Sequence, residues 1–388
     1  MSNLFTTFIK SDRQQQLFNK AEKLANLVKQ RVSETEQTAT FSKANLQDLK
    51  DEGYVSLPLP KEYGGENISL YEMLLLQEKL ATGDGSTALS IGWHMSIVME
   101  LNEGNRWSKQ DYQFIANEIG QNKAVVNRLA TEPATGSPTR GGIPETKAVK
   151  QGDSYLLNGR KSFATMASVL DYYIISAYVE DKQAVGWFLI NKDVPGISIE
   201  HTWDTLGMRG TGSDDVVLTD VKLPESSLVE LIQKPKRPTA NCYLLHIPAC
   251  YLGIAIAARN EAIDFAKNYQ PNSLNTTISE LPHIKQKIGE MDLKLMQARY
   301  FMYTVAEKWD QNPDARGTLG AELAAVKTVA TNIANEVVDL SMRIAGGRGL
   351  SKNYRFEQFY RDVRAGLHNP PMDDMVIQML ANNALKDQ

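Results

Sequence analysis

The chain has 388 residues, of which 42% are hydrophobic and 23% charged, and its formal net charge is -4. This is the composition of a folded globular protein, and the length predicts two or three compact units. No run of lysine and arginine forms a phosphate-binding stripe, which argues against a nucleic-acid partner. The N-terminus lacks a signal-peptide pattern, and no apolar run approaches about 18 residues. We therefore expect a cytoplasmic protein without a membrane span.

Residues 1–122 have the pattern of an N-terminal helical domain. Leu17, Ala21 and Leu24 recur at three- and four-residue spacing, which predicts an amphipathic helix. Leu74, Leu75, Glu78 and Leu80 indicate a second helix further on. The stretch LPLPKEYGGENIS between them is rich in proline and glycine, which indicates a turn-rich break.

From residue 123 to 232 the pattern changes to short runs of β-branched and aromatic residues. YLLNG, DYYIISAYVE and AVGWFLINK are three of these runs, and Gly, Pro, Asn and Asp bound them at short intervals. The pattern predicts a small antiparallel β-domain, built as a sandwich or barrel.

Residues 233–388 are predicted to form a helical domain with a four-helix bundle. Two stripes of apolar residues at three- and four-residue spacing indicate two long helices that pack in such a bundle. The stripes are Ile284, Ile288, Met291, Leu295, Ala298, Met302 and Val305, and then Leu319, Leu323, Val326, Ala330, Ile333, Val337, Leu340 and Ile344. The fold class is therefore α+β, mostly α.

The two cysteines, Cys242 and Cys250, lie eight residues apart in an apolar stretch. Two thiols at this spacing make neither a disulfide framework nor a metal site. We expect both to be buried and unreactive, and we expect no bound metal.

Five segments, taken together, resemble the acyl-CoA dehydrogenase superfamily over nearly the whole chain. In order they are ATEPATGSPTRGG, GRKSFATMASVLDYY, TLGMRGTGSDDVVLTDVKLP, AGGRGL and FYRDVRAG. Each segment alone is a weak signal, but their common order and spacing are specific. The resemblance implies that the helical domain, the β-domain and the helical bundle hold a flavin between them.

The resemblance implies flavin-binding roles for four residues of the β-domain. Thr131 and Thr165 would supply hydroxyl groups, with Thr165 at the flavin N5 atom, and Phe163 would cover one face of the ring. Ser137 and its neighbouring turn amides suit a phosphate oxygen. Taken singly, each of these threonines and serines is also explained by a local hydrogen bond.

Gly346 and Gly347 resemble the diglycine by which one subunit of the family approaches the flavin nucleotide of its neighbour. Glycine permits close backbone approach, and it is also the usual residue at the end of a helix. Both roles are compatible here. If a neighbouring subunit completes the site, the protein is a homo-oligomer, and the family is commonly tetrameric.

The position of the catalytic base departs from the resemblance. Dehydrogenation of an acyl thioester needs a base, usually a carboxylate, for the acidic α-proton. The family's glutamate follows an Arg-Asp pair by about nine residues, and counting from Arg361 places Pro370 there. The second known location of the base falls near Tyr243 or Leu244, where there is no carboxylate either.

Acids and histidines near these positions are the alternative candidates. Asp373 and Asp374 are explained first as helix-start residues. His368, in the sequence LHNP, resembles a histidine of the flavin-dependent monooxygenase branch, which includes the dibenzothiophene monooxygenases. His94, in SIGWHMSI, is the second candidate catalytic residue. Imidazole titrates near working pH, but either histidine is also explained as a structural one.

The nucleotide-binding segment also departs from the resemblance. The family usually carries Arg-x-x-Phe-Gly there, whereas the matching stretch NYQPNSLNTTISELP has neither the arginine nor the Phe-Gly pair. The glutamine that usually precedes the diglycine is Arg343. We expect FAD as the cofactor, with FMN as the alternative.

Three functions remain open at this point. The first is oxidation of an acyl-CoA-like substrate by hydride transfer to flavin, with an electron-transfer flavoprotein as partner. The second is a two-component monooxygenase that uses oxygen and flavin reduced by a separate flavin reductase. The third is a catalytically silent flavin-binding protein. Fold analogy alone does not decide between them, and the sequence does not identify the substrate.

Overall fold

The computed structural model describes residues 4–104, 106–135, 142–232 and 241–386. Along the chain it has N-terminal helices, a β-sheet and C-terminal helices. This order confirms the predicted fold class. None of the helices in the described residues is both long and apolar enough to cross a bilayer.

Within the described residues, the N-terminal part has six α-helices. Serine and aspartate side chains cap several of them: Ser69 and Glu72 form a capping box at α4, and Asp84 accepts hydrogen bonds from Ser86 N and Thr87 N at α5. Helix α5 is buried on nearly every side, so it forms the centre of this part rather than a surface layer. The helices are α1 (Asp12–Lys29), α2 (Val32–Thr38), α3 (Lys43–Asp51), α4 (Leu70–Ala81), α5 (Gly85–Glu103) and α6 (Lys109–Asn122).

The central part is one eight-stranded sheet with the order β6-β7-β3-β2-β4-β5-β8, in which β1 pairs with β4. The prediction of purely antiparallel pairing is wrong at two places, because β1 and β2 both run parallel to β4. They lie one after the other along the same edge of β4, which antiparallel β5 leaves free. The strands are β1 (Val126–Leu129), β2 (Lys147–Gln151), β3 (Ser154–Lys161), β4 (Tyr172–Val179), β5 (Ala184–Asn191), β6 (Ile197–Glu200), β7 (Asp215–Pro224) and β8 (Leu228–Leu231).

Among the residues that the structure describes, the C-terminal part has five α-helices, of which α7, α8, α9 and α10 pack together. Both predicted stripes face the interior: every named α8 position is buried except half-buried Ile288, and most of those on α9 are buried. Helix α4 also packs on α7 and α8, which joins this bundle to the N-terminal helices. The helices are α7 (His246–Asn268), α8 (Pro282–Gln311), α9 (Gly320–Ala345), α10 (Phe356–Arg364) and α11 (Asp373–Lys386).

Both cysteines are free and fully buried, as predicted. Burial raises the pKa of each thiol well above its usual value, so both remain protonated at neutral pH.

Candidate flavin site

Backbone hydrogen bonds bring together the first three segments of the family resemblance. Ser162 N, just after β3, donates to the Thr131 carbonyl at 2.9 Å. Further along the same segment, Ala164 N donates to the Asp214 carbonyl at 3.1 Å, and Met166 N donates to that of Thr211 at 3.0 Å. Segments that lie far apart in the sequence are therefore joined around Thr165.

The Thr165 side chain is held at the end of a chain of hydroxyl groups. Its Oγ1 lies 2.9 Å from Ser213 Oγ, which lies 2.8 Å from Thr211 Oγ1, and Thr211 donates to the Met208 carbonyl. The Thr165 carbonyl accepts a hydrogen bond from Asn127 Nδ2 at 3.1 Å. Thr165 is buried except for 8% of its surface. Its hydroxyl is therefore fixed in place before any ligand arrives.

Phe163, two residues before Thr165, carries an exposed aromatic ring. Its backbone has φ of +56°, and 64% of its surface is exposed. The ring meets Trp203 edge-on, with centroids 5.7 Å apart. An exposed large aromatic ring next to a fixed hydroxyl suits the face and edge of a planar heteroaromatic ring. These residues therefore fit an isoalloxazine.

Thr131 and Ser137 are the other two candidates in the β-domain. Thr131 is half-buried, and its carbonyl is used by Ser162. Ser137 lies outside the described residues. Its role at a phosphate therefore stays a prediction.

A buried ion pair lies at the end of β3. The Lys161 ammonium donates to Glu132 Oε1 and to Ser176 Oγ, and both charged side chains are almost completely buried. Thr146 Oγ1 and Glu145 N also donate to the carboxylate, each at 2.6 Å. Burial alone would raise the pKa of Glu132, but these donors hold it below its usual value. The carboxylate therefore stays charged inside the sheet.

The fifth segment of the resemblance, FYRDVRAG, contacts the third, TLGMRGTGSDDVVLTDVKLP, at a buried carboxylate. Met208 N donates to Asp362 Oδ1 at 2.6 Å, and Gly207 packs so closely on the Arg361 backbone that a Cβ would lie 2.2 Å from its carbonyl oxygen. Burial, and then the charge of Glu36, raises the pKa of Asp362 to about 7. These contacts hold the third segment against the fifth, at α10.

The position of the missing base contains amide and phenol groups instead of a carboxylate. Tyr251, buried in α7, donates from its hydroxyl to Asn369 Oδ1 at 2.6 Å, which fixes the residue before Pro370. His368, which is exposed, ends a short turn, Ala365–His368. Asp373 accepts hydrogen bonds from Asn332 at 2.7 Å and Lys327 at 3.2 Å. The contacts of Asp373 indicate that it fastens the start of α11 to α9.

His94 lies in the interior with both ring nitrogens occupied. Its Nε2 lies 2.9 Å from the Val55 carbonyl, and its Nδ1 accepts a hydrogen bond from Val126 N at 3.1 Å. Burial lowers the pKa of His94 to about 4. The contacts indicate a neutral histidine that joins α5 to β1, and they leave no nitrogen for a substrate.

We expect His94→Gln to weaken the acid sensitivity of the fold. The pKa of His94 is about 4 in the folded protein and 6.5 in the unfolded chain. The stability it contributes is therefore complete above pH 6.5 and lost as the pH falls to about 4. From that shift the loss is on the order of 3 kcal/mol. Glutamine retains a donor and an acceptor but does not titrate.

Urea unfolding at a series of pH values from neutral to acidic tests this expectation, with exposed His283→Gln as the matched control. The free energy of unfolding of His94→Gln should fall less steeply with acidification than that of the parent and control. Identical pH dependence in all three proteins would refute the assignment.

The diglycine lies on an exposed turn after α9. Gly346 has φ of +59°, and a Cβ at Gly346 or Gly347 would meet no described atom within 4 Å. Arg348 of the same turn stacks on the Tyr269 ring, with its guanidinium carbon 4.2 Å from the centroid. A groove of about 460 Å³ beside them is lined by Glu261, Asp264, Phe265, Asn268, Tyr269, Arg348 and Tyr354. The diglycine backbone is therefore open to an external partner.

Sequence reasoning missed several residues that organise the site. Asn127 and Lys161 lie within or next to the flavin segments, and the available signal was a lysine in one segment and a glutamate in another. Tyr251 carried no local signal, because its hydrogen bond to Asn369 joins α7 to a residue 118 positions away. Its role is visible only in the three-dimensional structure.

Comparisons with known proteins agree with this geometry. Family models for the N-terminal, middle and C-terminal domains of acyl-CoA dehydrogenase match residues 11–113, 128–221 and 245–367. The putative acyl-CoA dehydrogenase YdbM of Bacillus subtilis (strain 168) is 51% identical over 98% of this chain and 99% of that protein.

Two solved structures share the fold. The butyryl-CoA dehydrogenase of Megasphaera elsdenii superposes with a TM-score of 0.85 at 21% identity, covering 97% of this chain and 99% of that one. FMN-bound TdsC of Paenibacillus sp. A11-2, a dibenzothiophene monooxygenase, gives 0.85 at 23% identity, covering 96% and 98%. The three matched domains and the extent of the identity to YdbM establish that this chain is a flavoprotein of the acyl-CoA dehydrogenase family.

Proposed function

We propose that the protein is a flavin-dependent oxidoreductase that transfers hydride between flavin and the β-carbon of an acyl-CoA-like thioester, while the α-carbon exchanges a proton. The observation that carries this proposal is the hydrogen-bonded assembly that joins Thr131, Phe163 and Thr165. Bound flavin would supply a hydride acceptor at N5. The extensive identity to a putative acyl-CoA dehydrogenase supports the thioester as the substrate class.

The proton of the substrate needs a separate acceptor, because Pro370 has no group to bind it. His368 lies two residues earlier and is exposed, and its neutral imidazole has a nitrogen that can accept a proton. We assign proton transfer to His368. Tyr251 donates to Asn369 Oδ1, which leaves the Asn369 amide N–H groups to bind the thioester carbonyl. His94 is not included, because both its nitrogens are used within the fold.

FAD is the proposed form of the flavin. The segment that lacks the family's arginine contains Tyr269, and Arg348 from the diglycine turn stacks on that ring. A guanidinium next to exposed glycine backbone suits the phosphates of a nucleotide. Arg348 therefore supplies the positive charge that the sequence of this segment lacks. FMN remains the alternative.

A homotetramer, with electron transfer to an electron-transfer flavoprotein, completes the proposal. Helix α8 leaves Leu293, Met296 and Tyr300 exposed at 58%, 51% and 53%, three and four residues apart on one face. An apolar stripe of this kind on a bundle helix favours contact with another subunit. The second subunit would place its own diglycine turn against the neighbouring flavin nucleotide.

A two-component monooxygenase is the second candidate. Pro370 at the base position favours it, because oxygenation requires no carboxylate there. The fold shared with FMN-bound TdsC is compatible with it, and its partner would be a flavin reductase.

Anaerobic titration of the flavin-loaded protein distinguishes these functions. We expect acyl-CoA thioesters of increasing chain length to bleach the flavin absorbance, because hydride transfer reduces the ring. The released cofactor is identified in the same preparation and is expected to be FAD. Free coenzyme A serves as the matched control, because it has no acyl carbons to oxidise.

Two other results would contradict the first function. If no thioester bleaches the flavin, while the reduced protein oxygenates an added aromatic substrate, the second candidate is supported. If the flavin is bound but neither reaction occurs, the chain is a catalytically silent flavin-binding protein.

A further inference from the structure

The hydroxyl groups of Thr211, Ser213 and Thr165 form a continuous hydrogen-bonded chain. Thr211 Oγ1 lies 2.9 Å from the Met208 carbonyl oxygen. Ser213 Oγ lies 2.8 Å from Thr211 Oγ1 and 2.9 Å from Thr165 Oγ1. Each hydroxyl has one hydrogen to donate and two lone pairs that accept. Every one of these short contacts needs a hydrogen between its two oxygens, so the position of each hydrogen follows from the partners.

The direction of the hydroxyl chain is fixed at its Met208 end. A carbonyl only accepts, so the Thr211 hydroxyl donates to Met208. Its hydrogen is then used, and the contact between Thr211 and Ser213 requires Ser213 to donate. By the same count, Thr165 donates to Ser213. Thr165 Oγ1 is left with a lone pair but without a free hydrogen, so toward a further ligand it is an acceptor.

Met208, at which the hydroxyl chain begins, is held through both of its backbone polar groups. Its N–H donates to Asp362 Oδ1 at 2.6 Å. Its carbonyl also accepts hydrogen bonds from Thr211 N at 3.1 Å and from Trp203 Nε1 at 3.2 Å. Only 2% of the Met208 surface is exposed. These contacts keep the carbonyl turned toward Thr211, so the direction of the hydroxyl chain does not reverse.

Thr165 is the most exposed member of the hydroxyl chain. The exposed fraction rises from 1% at Thr211 to 4% at Ser213 and 8% at Thr165. Phe163, two residues before Thr165, carries the exposed ring of the candidate flavin site. The Thr165 end of the chain is therefore the end that a flavin can reach.

The N5 atom of a flavin changes its hydrogen-bonding character with its redox state. In the oxidised ring it is an acceptor. Hydride transfer from the β-carbon of a thioester brings a hydrogen with its electron pair to the ring, after which N5 carries that hydrogen and donates. An acceptor that faces N5 thus binds the reduced ring and repels the lone pair of the oxidised ring.

We propose that Thr211 and Ser213 are positioning residues that make Thr165 Oγ1 a hydrogen-bond acceptor toward flavin N5, which favours the reduced cofactor. This inference rests on the proposed function, which places the flavin at this assembly. A free threonine hydroxyl would serve both redox forms, because it rotates to donate or to accept. Fixing the hydroxyl favours one form, so the hydroxyl chain raises the reduction potential of the bound flavin.

The reduction potential of the bound flavin in Thr211→Val tests this inference. The substitution keeps the shape of the side chain, and the Met208 carbonyl keeps its donors from Trp203 and from the backbone. Ser213 is then free to donate to Thr165, which can donate to oxidised N5. We expect the preference for reduced over oxidised flavin to fall about tenfold, as for one hydrogen bond, which lowers the potential of a two-electron couple by about 30 mV. Anaerobic titration with dithionite beside a reference dye measures the potential.

Three further variants separate orientation of the hydroxyl from support of the fold. Thr211→Ser retains the hydroxyl and should keep the parent potential. Ser213→Ala frees the Thr165 hydroxyl by another route and should lower the potential in the same way, so the test survives if one variant does not fold. Thr205→Val is the matched control and should keep the parent potential. Thr205 Oγ1 also donates to a carbonyl of this loop, that of Gly207 at 3.0 Å, but lies outside the hydroxyl chain.

The outcomes distinguish this inference from the proposed function. An unchanged potential in both Thr211→Val and Ser213→Ala refutes the inference, whether or not thioesters reduce the flavin. Equal weakening of oxidised and reduced flavin binding also leaves the potential unchanged and marks the hydroxyl chain as structural only. Dithionite reduces flavin without a thioester, so a parent that no thioester bleaches contradicts the proposed function alone. A protein that binds no flavin contradicts both.

Discussion

Lys161→Met is expected to lower the free energy of unfolding by about 3–5 kcal/mol at pH 7 and to release the flavin. The substitution leaves the Glu132 carboxylate in a site where it is almost completely buried. Thr131 and Ser162, which flank the pair, are bonded to each other at the flavin segments. Loss of the ion pair should therefore disturb the cofactor site through Thr131 and Ser162.

The loss of stability in Lys161→Met should become larger as the pH rises. In the parent, donors hold the pKa of Glu132 below its usual value, so its stabilising contribution is lost only as the pH falls through that low value. In Lys161→Met burial dominates and raises the pKa of Glu132. The defect is therefore small in acid, where the carboxyl is protonated in both states, and grows as the pH rises toward neutrality.

Urea unfolding at several pH values and flavin retention on a desalting column test the expectation. Glu132→Gln combined with Lys161→Met should recover part of the lost stability, because no buried charge remains. Lys150→Met, which breaks the exposed pair with Glu225 just after β7, is the matched control and should change little. Equal behaviour of Lys161→Met and Lys150→Met would disprove a structural role for the buried pair.

The sequence predicted the parts of the fold that depend on local periodicity. Apolar stripes on α8 and α9 identified both bundle helices, because each buried position recurs within the helix itself. The parallel pairing of β1 and β2 with β4 was not predictable, because strand direction depends on which distant edge is free. Alternation of apolar residues is the same in parallel and antiparallel strands at this length.

The candidate site, like the fold, was predictable from the sequence only in part. The absence of a glutamate at Pro370 was evident from the sequence, once the family resemblance had given the expected position of the base. The assignments of Thr131, Phe163 and Thr165 to flavin came from resemblance and stay predictions. The hydroxyl chain behind Thr165 could not be foreseen, because Ser213 lies 48 residues away and carries no signal of its own. The environment of His94 was equally hidden, because its partners Val55 and Val126 lie 39 and 32 residues away.

Arg299→Met is expected to destabilise the fold by about 3–5 kcal/mol, because it leaves the buried carboxylate of Glu78 without its cation. Arg299 Nε and Nη2 donate to the two oxygens of Glu78 at 2.7 and 2.8 Å, and both side chains are almost fully buried. This pair joins α8 to α4, so it connects the bundle to the N-terminal helices. Tyr303 still donates to Glu78 in the variant, but a phenol supplies no charge.

The same substitution should loosen the N-terminal segment. Arg299 Nη1 donates to the Leu4 carbonyl, and the guanidinium lies 5.0 Å from the Phe5 ring and 4.5 Å from the Phe8 ring. We expect faster hydrogen exchange at these residues, together with a lower midpoint of unfolding in urea.

Arg259→Met is the matched control. Arg259 also donates two hydrogen bonds to a carboxylate, but the side chain of its partner Asp292 is 30% exposed. Water can solvate Asp292 once its arginine is removed, whereas it cannot reach Glu78, so the control should be less destabilised. If both variants lose the same stability, burial is not what makes the Glu78–Arg299 pair important.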